Sequence, residues 1–498
     1  MYTEVREFSV KKSILLIILS GLLLILAFPR FDYEIFAWIA LVPLLLATCD
    51  SRHPFLSGYL FGLIFFGGTL FWLTSITKIG FLLLILYLSL YPALFTFLIT
   101  KWNFPAKNFF GASLWVLLEY IVSHLLTGFP WLLLGYSQYK NLRLIQISSI
   151  FGVYIISGLV VLVNISLSQL LSFKQRKISL SLSFLLLIFT FLFGIYQEGK
   201  SAKITTKSIK VCIIQGNIPS LQRWEPIFKE ENVKVYSSLT KKASKNKPYL
   251  VIWPESAIAT HLRLDKPIQK DIFKLIKREN FYLLAGSLDK RREKEYNSAF
   301  LISPQEQIES IYDKMHLVPY GEYILGENFL PLKRFAIKAA GFIPNFSPGV
   351  NYTIFSLPKK GDFATLICFE DIFPDLSRRF TKKGANFLVN ITNDSWFGEG
   401  SGPYQHFAAA VLRAVENRRY LLRAANTGIS GIIAPSGRIL KRVKENGRDI
   451  FVSGFLIEKI YPSSALSFYT KFGDAPLMLF CLAFLILFPL MGKNRDTS

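Results

Sequence analysis

Seven apolar runs, near residues 12–28, 34–49, 55–76, 80–100, 108–127, 147–171 and 178–196, crowd the first 197 positions, and an eighth lies near 475–491. A bilayer core about 30 Å thick takes roughly 20 apolar residues in helical form. Only helices and closed barrels satisfy their own backbone in lipid, so runs of this length and number predict a polytopic helical bundle. The first run follows Lys11 and Lys12, as the core of a signal peptide would. No small-residue cleavage pattern follows and more spans come directly after, so an uncleaved first span is expected.

Orientation follows from the basic residues between runs. Arg6, Lys11 and Lys12 precede the first; the even connections carry Arg52, Lys101, Lys107, Lys174, Arg176 and Lys177; the tail adds Lys493 and Arg495. The odd connections hold only Arg30, Lys78, Lys140 and Arg143. Both termini are therefore expected in the cytoplasm and the central segment beyond the inner membrane, in the periplasm of a Gram-negative cell. The net charge of +23 fits basic loops facing anionic lipid. No basic helix or RNA-binding signature accompanies it, so nucleic acid is not an expected partner. The chain divides into a membrane domain (1–197), an exported domain (198–473) and a final span with its tail (474–498). Glu119 and His124 fall in or near the fifth run, where a functional role and a polar pair facing neighbouring helices are both open. The connection 128–139 (GFPWLLLGYSQY) is aromatic and apolar, and Trp131, Tyr136 and Tyr139 suit an interface belt or a lipid entry.

From Ile209 the pattern changes to short β-branched runs alternating with charged, helix-like stretches. Strands are predicted at 210–215, 249–253, 281–287, 299–303, 309–314, 364–369, 387–392 and 431–436, and helices at 225–243, 266–279 and 403–421. This interleaving predicts an α/β layered fold. Several strands lack alternation, as a sheet covered on both faces requires.

Three strands run into chemically loaded residues: YLVIW into Pro254-Glu255, SIYD into Lys314, and ATLI into Cys368. Sites in α/β sheets gather beyond carboxyl strand ends, so Glu255, Lys314 and Cys368 could meet at one edge. A thiol attacks only once deprotonated. A nearby carboxylate can take its proton. A lysine can stabilise the thiolate and the oxyanion of a tetrahedral intermediate, and the N–H after the nucleophile is a second oxyanion donor. The product would be a thioester on Cys368. Taken singly, the Cys reads as a small buried hydrophobe, the Lys as a solvated charge and the Glu as a helix cap; the combination favours chemistry. A Cys–His pair is the competing arrangement, with His261, His316 and His406 in this domain. Cys212 lies inside a strand and reads as core. There is no CxxC and no Cys/His cluster, so neither zinc nor another cofactor is expected.

WPESA (253–257), YDKMHLVPYGEY (312–323) and CFED (368–371) resemble the nitrilase superfamily, whose triad is Glu, Lys and Cys in that order. That resemblance implies an αββα sandwich for the exported domain. The whole chain resembles the apolipoprotein N-acyltransferase family, through FAWIALVPLL (36–45), GFPWLLLGYSQ (128–138), IQGNIP (214–219) with Trp224, and NDSWFG (393–398). It implies Cys368 as nucleophile, Glu255 as general base and Lys314 as oxyanion and thiolate stabiliser, with Glu322 supporting them. It places Trp224, Phe369 and Glu370 among substrate-handling residues, and Asn393 and Trp396 in the pocket wall. Many relatives have Tyr where this chain has Phe369. The implied reaction moves an acyl chain from a phospholipid, typically phosphatidylethanolamine, to Cys368, and then to the α-amine of a diacylglyceryl-modified N-terminal cysteine of an apolipoprotein. A monomer is expected. The segment 323–346 is unusually apolar, and Phe329, Leu330, Phe335, Phe342 and Ile343 could meet acyl chains or simply pack on the sheet. Two other functions remain open: a membrane-tethered amidase for small amides, and a non-enzymatic scaffold with a degenerate catalytic domain.

Overall fold

The computed structural model describes residues 10–49, 51–101, 107–172, 177–199, 208–219, 226–323 and 345–493. The chain forms two compact units, one of residues 1–200 with 472–498 and one of residues 201–471. Trp224 and the apolar segment residues Phe329, Leu330, Phe335, Phe342 and Ile343 lie outside the described residues.

In the first unit, four described helices are long and apolar enough to cross a membrane: Val10–Ala27, Lys78–Thr100, Tyr154–Leu171 and Leu180–Glu198. Glu34–Thr48, Pro54–Thr69 and Ala475–Leu487 are shorter apolar helices. Small residues let these helices approach closely. A Cβ on Gly58 would stand 2.3 Å from the Pro92 carbonyl oxygen, so helices Pro54–Thr69 and Lys78–Thr100 meet backbone to backbone there. Asn164 bridges two helices, accepting from the Leu41 N–H and donating to the Ala37 carbonyl.

The connection after helix Lys107–His124 corrects the expectation of an interface belt. Trp131, Tyr136 and Tyr139 are buried, and Trp131 packs on Trp72 and Phe129. The segment is held by polar contacts: the Leu134 N–H donates to Glu119 Oε1 at 2.8 Å and the Gly135 N–H to Ser157. Glu119 also accepts from the Trp115 indole. Backbone outside a helix is tolerated at membrane depth only when buried and satisfied in this way. His124 is exposed, and its ring packs on Tyr120.

The second unit holds two sheets. The first runs β13–β1–β2–β4–β5–β6, with β3 beside β4. Its strands are β1 (Ile209–Gln215), β2 (Leu250–Ile252), β3 (Ile258–His261), β4 (Tyr282–Arg291), β5 (Lys294–Ile302), β6 (Ile308–Asp313) and β13 (Gly454–Ile460). The second runs β12–β11–β10–β9–β8–β7. Its strands are β7 (Phe355–Leu357), β8 (Gly361–Ile367), β9 (Phe387–Thr392), β10 (Leu421–Ala425), β11 (Gly431–Ile433) and β12 (Ile439–Arg442).

Helices Lys229–Ser244 and Lys266–Glu279 cover the first sheet, where Val233, Tyr236, Ile272 and Ile276 pack against Cys212, Val251 and Leu283. Asp265 caps the second of these helices and Asn280 ends it in the left-handed conformation. Helices Pro374–Lys382 and Gly402–Asn417 pack on the second sheet. The result is the αββα sandwich, and every residue of β9 is buried, as a doubly covered strand requires.

Candidate active site

β2 and β4 are parallel, and two antiparallel steps through β5 return β6 to the same direction. The carboxyl ends of β2 and β6 therefore lie at one edge of the first sheet. β8 and β9 are likewise parallel in the second. This topology brings Glu255, three residues past β2, and Lys314, one past β6, toward Cys368, one past β8.

Lys314 is almost wholly buried, and its Nζ lies 2.8 Å from Glu322 Oε2 and 3.6 Å from Glu255 Oε1. Burial works against its positive charge, but Glu322, Glu255 and Cys368 outweigh it and hold the pKa above the ordinary lysine value. The Asn297 amide donates to Glu255 Oε1 at 2.8 Å and to Glu322 Oε1 at 2.9 Å, so one nitrogen ties both carboxylates. The backbone N–H of Asn393 donates to Glu255 Oε2, and that of Val318 to Glu322 Oε2.

Cys368 occupies a left-handed backbone position, φ 52°, at the turn where β8 passes into a short 3₁₀ segment. A non-glycine residue there is strained and persists only where its surroundings fix it. Burial first, then the Glu255 charge, raises the thiol pKa; Lys314 opposes them.

Glu370 is fully buried behind this turn. Its carboxylate accepts from the Tyr312 hydroxyl and from the N–H groups of Met315, His316 and Ile367. It thus clamps the segment after Lys314 to the strand that carries Cys368. Burial pushes its pKa up to about 7, against the lowering effect of the Ile367 and His316 N–H groups.

Beneath Cys368 lies a cluster unforeseen in the sequence. Asp371, Asp394, His406 and Arg423 are all fully buried. Arg423 reaches Asp371 at 2.6 Å and Asp394 at 3.0 Å. His406 sits between the same carboxylates, Nε2 2.7 Å from Asp371 and Nδ1 3.0 Å from Asp394. Although burial alone would raise it, Asp394 is pulled down to about 2 by Arg423 and His406. A Cβ on Gly428 would stand 2.1 Å from Asp394 Oδ2, so that carboxylate needs the glycine.

The remaining candidates scatter. Phe369 is buried against Phe373 and His316. The Asn393 side chain accepts from Asn426 rather than facing open space. Trp396 is 51% exposed. Of the histidines weighed as partners for Cys368, His261 lies on β3 near Glu295, His316 lies tilted against Phe373 with ring centroids 3.7 Å apart, and His406 is enclosed by carboxylates. Cys212 is core, as expected. Asn297, Asp371, Asp394 and Arg423 were missed. Asp371 and Asp394 had a signal, their places inside CFED and NDSWFG; Asn297 and Arg423 sit in stretches that carry none.

Residues 20–166 match the model of the apolipoprotein N-acyltransferase N-terminal domain, and residues 210–459 match the carbon-nitrogen hydrolase model. An apolipoprotein N-acyltransferase of Geobacter metallireducens is 39% identical over 93% of this chain and 92% of its own. Those of Wigglesworthia glossinidia brevipalpis and Haemophilus influenzae are 34% and 32% identical, covering 94% and 97% of this chain and 95% of each relative. Among solved structures, a nitrilase-superfamily member from Saccharomyces cerevisiae aligns with 53% of this chain and 93% of its own at 19% identity, with a TM-score of 0.41. Family models over both units and relatives matched nearly end to end leave one assignment: the chain is a membrane protein of the apolipoprotein N-acyltransferase family, an acyltransferase with a nitrilase-like catalytic domain.

Proposed function

We propose that the chain transfers an acyl chain from a phospholipid to Cys368 and then to the α-amine of the diacylglyceryl-cysteine at the head of an apolipoprotein. The observation that carries this reading is the placement of Lys314 between Glu255 and Glu322, within the field of a strained, half-buried Cys368.

A thiol attacks the ester carbonyl only once deprotonated, and Glu255 takes the thiol proton as the S–C bond forms. The carbonyl oxygen becomes an oxyanion, which Lys314 Nζ and the Phe369 N–H stabilise. The tetrahedral centre collapses, the C–O bond breaks, and Glu255 returns the proton to the departing lysophospholipid oxygen. The thioester remains on Cys368. In the second half the acceptor amine attacks it, Glu255 takes the amine proton, and the proton passes to the departing sulfur. Glu322 shares Lys314 with Glu255, which keeps the ammonium charged and aimed through both steps. Phosphatidylethanolamine is the expected donor. Trp224, Phe369 and Glu370 are assigned to substrate handling, and Asn393 and Trp396 to the pocket wall, by their sequence positions. The basic residues of the even connections support cytoplasmic termini and a periplasmic catalytic domain.

The test is incubation of the purified chain with a phospholipid labelled in its acyl chain. A hydroxylamine-sensitive label on Cys368 is expected, absent in Cys368→Ala and chased onto a diacylated lipopeptide. A wild-type chain that hydrolyses small amides but takes no label from phospholipid would overturn this reading in favour of an amidase.

A further inference from the structure

The backbone carbonyl of Cys368 is held from below by two side chains. Asn390 Nδ2 donates to it at 3.1 Å, and His406 Nε2 lies 3.3 Å from it. Both are fully buried. Neither is free to turn away. Asn390 is fixed through its own oxygen, which accepts from Arg423 at 2.7 Å. His406 is fixed by Asp371 on one ring nitrogen and Asp394 on the other. Thr392 donates to Asp394, and Arg423 ties both carboxylates together. The anchor therefore runs from β9, β10 and helix Gly402–Asn417 into one carbonyl oxygen.

That oxygen belongs to the peptide unit joining Cys368 to Phe369. A trans peptide is planar, with its C=O and N–H pointing in opposite directions. Pinning the oxygen toward the buried cluster directs the Phe369 N–H away from it. The left-handed φ of Cys368 makes the anchor necessary, because relaxation of that angle would rotate the peptide plane.

We propose that Asn390 and His406 are positioning residues that orient the Phe369 N–H as an oxyanion donor, with the Arg423–Asp371–Asp394 cluster as their support. The proposal rests on Cys368 being the nucleophile. It separates two properties of the site. The reactivity of the sulfur depends on Glu255 and Lys314, whereas stabilisation of the tetrahedral oxyanion depends in addition on the peptide plane.

Two reactions of one thiol distinguish them. Alkylation by iodoacetamide displaces iodide at a saturated carbon and forms no oxyanion. Acylation by phospholipid passes through one. Both rates are measured on the full chain in detergent for wild type, Asn390→Ala and His406→Gln. In both variants acylation of Cys368 is expected to slow about 10²-fold, the cost of losing one oxyanion donor. Alkylation is expected to stay near the wild-type rate, and the KM for phospholipid to change little while kcat falls. Equal losses in both reactions of Asn390→Ala, or no loss in acylation in either variant, would overturn the proposal. Should His406→Gln disturb folding, alkylation falls with acylation in that variant and Asn390→Ala, which removes no charge, decides. Absence of label on wild-type Cys368 would instead refute the nucleophile assignment, a separate outcome.

Discussion

At the scale of single residues, the site spends charge in two different ways. Around Lys314 the charges are shared and stay close to the reacting atoms; around Arg423 they cancel and hold a shape. Glu370 belongs to neither group, and its titration gives it a signature of its own. Its carboxyl sits at about 7 in the folded chain against an ordinary 4.5, so the folded state binds the proton more tightly than the unfolded state. The resulting stabilisation is fully present below pH 4.5 and is lost as pH rises through about 7, with a ceiling on the order of 3 kcal/mol. The wild-type melting temperature should fall between about pH 5 and about pH 8, and the fall should be smaller in Glu370→Gln. Asp394, held at about 2, contributes in the opposite sense and only in stronger acid. The grouping of Glu255, Lys314 and Cys368 was legible in the sequence because all three follow recognisable strands; singly, each reads as an ordinary residue for its place. Its support was not. Asn297, Asn390 and Arg423 lie inside strands, and their partners come from segments far apart in sequence, so no local pattern marks them.

Among elements, the close crossing of β4 with the turn after β2 determines where Glu255 stands. A Cβ on Gly286 would meet the Glu255 Cα and the Ser256 nitrogen at 2.6 Å and the Pro254 oxygen at 2.7 Å. All three are backbone or next to it, so the turn itself must shift. Gly286→Ala should lower kcat for acyl transfer tenfold or more, since displacing a reacting group by about 1 Å can cost about 10²-fold. A kinetic series at varied phospholipid would show this, with KM little altered. The same scale exposes where sequence reasoning falls short. Helix 266–279 is legible because Asp265 and Asn280 punctuate it. The helix expected over 403–421 stops at Asn417, where Arg418 turns into the left-handed region, and β10 begins at Leu421. LLRAA has good helix formers throughout. Tertiary pairing with β9 makes it a strand, and that pairing buries Arg423 among its counter-ions. Short edge pieces such as β7 and β12 were missed for the same reason: a partner strand defines them, not their own composition.

For the molecule as a whole, the basic residues between apolar runs imply an odd number of crossings before the catalytic unit. An alkaline phosphatase reporter fused after Lys200 should therefore be active, and an inactive fusion with a fluorescent cytoplasmic counterpart would refute the periplasmic placement. The order of parts also bears on how the chain is made. Glu119 and the Leu134 N–H it accepts from are fifteen residues apart, so both leave the ribosome almost together. A carboxylate alone at the centre of a spanning helix raises the cost of insertion by roughly 3 kcal/mol. The stretch behind helix Lys107–His124 supplies a partner for that carboxylate as it folds back. The loop is in effect a strap for its own helix, so the two form one unit of packing rather than a helix and a free connection.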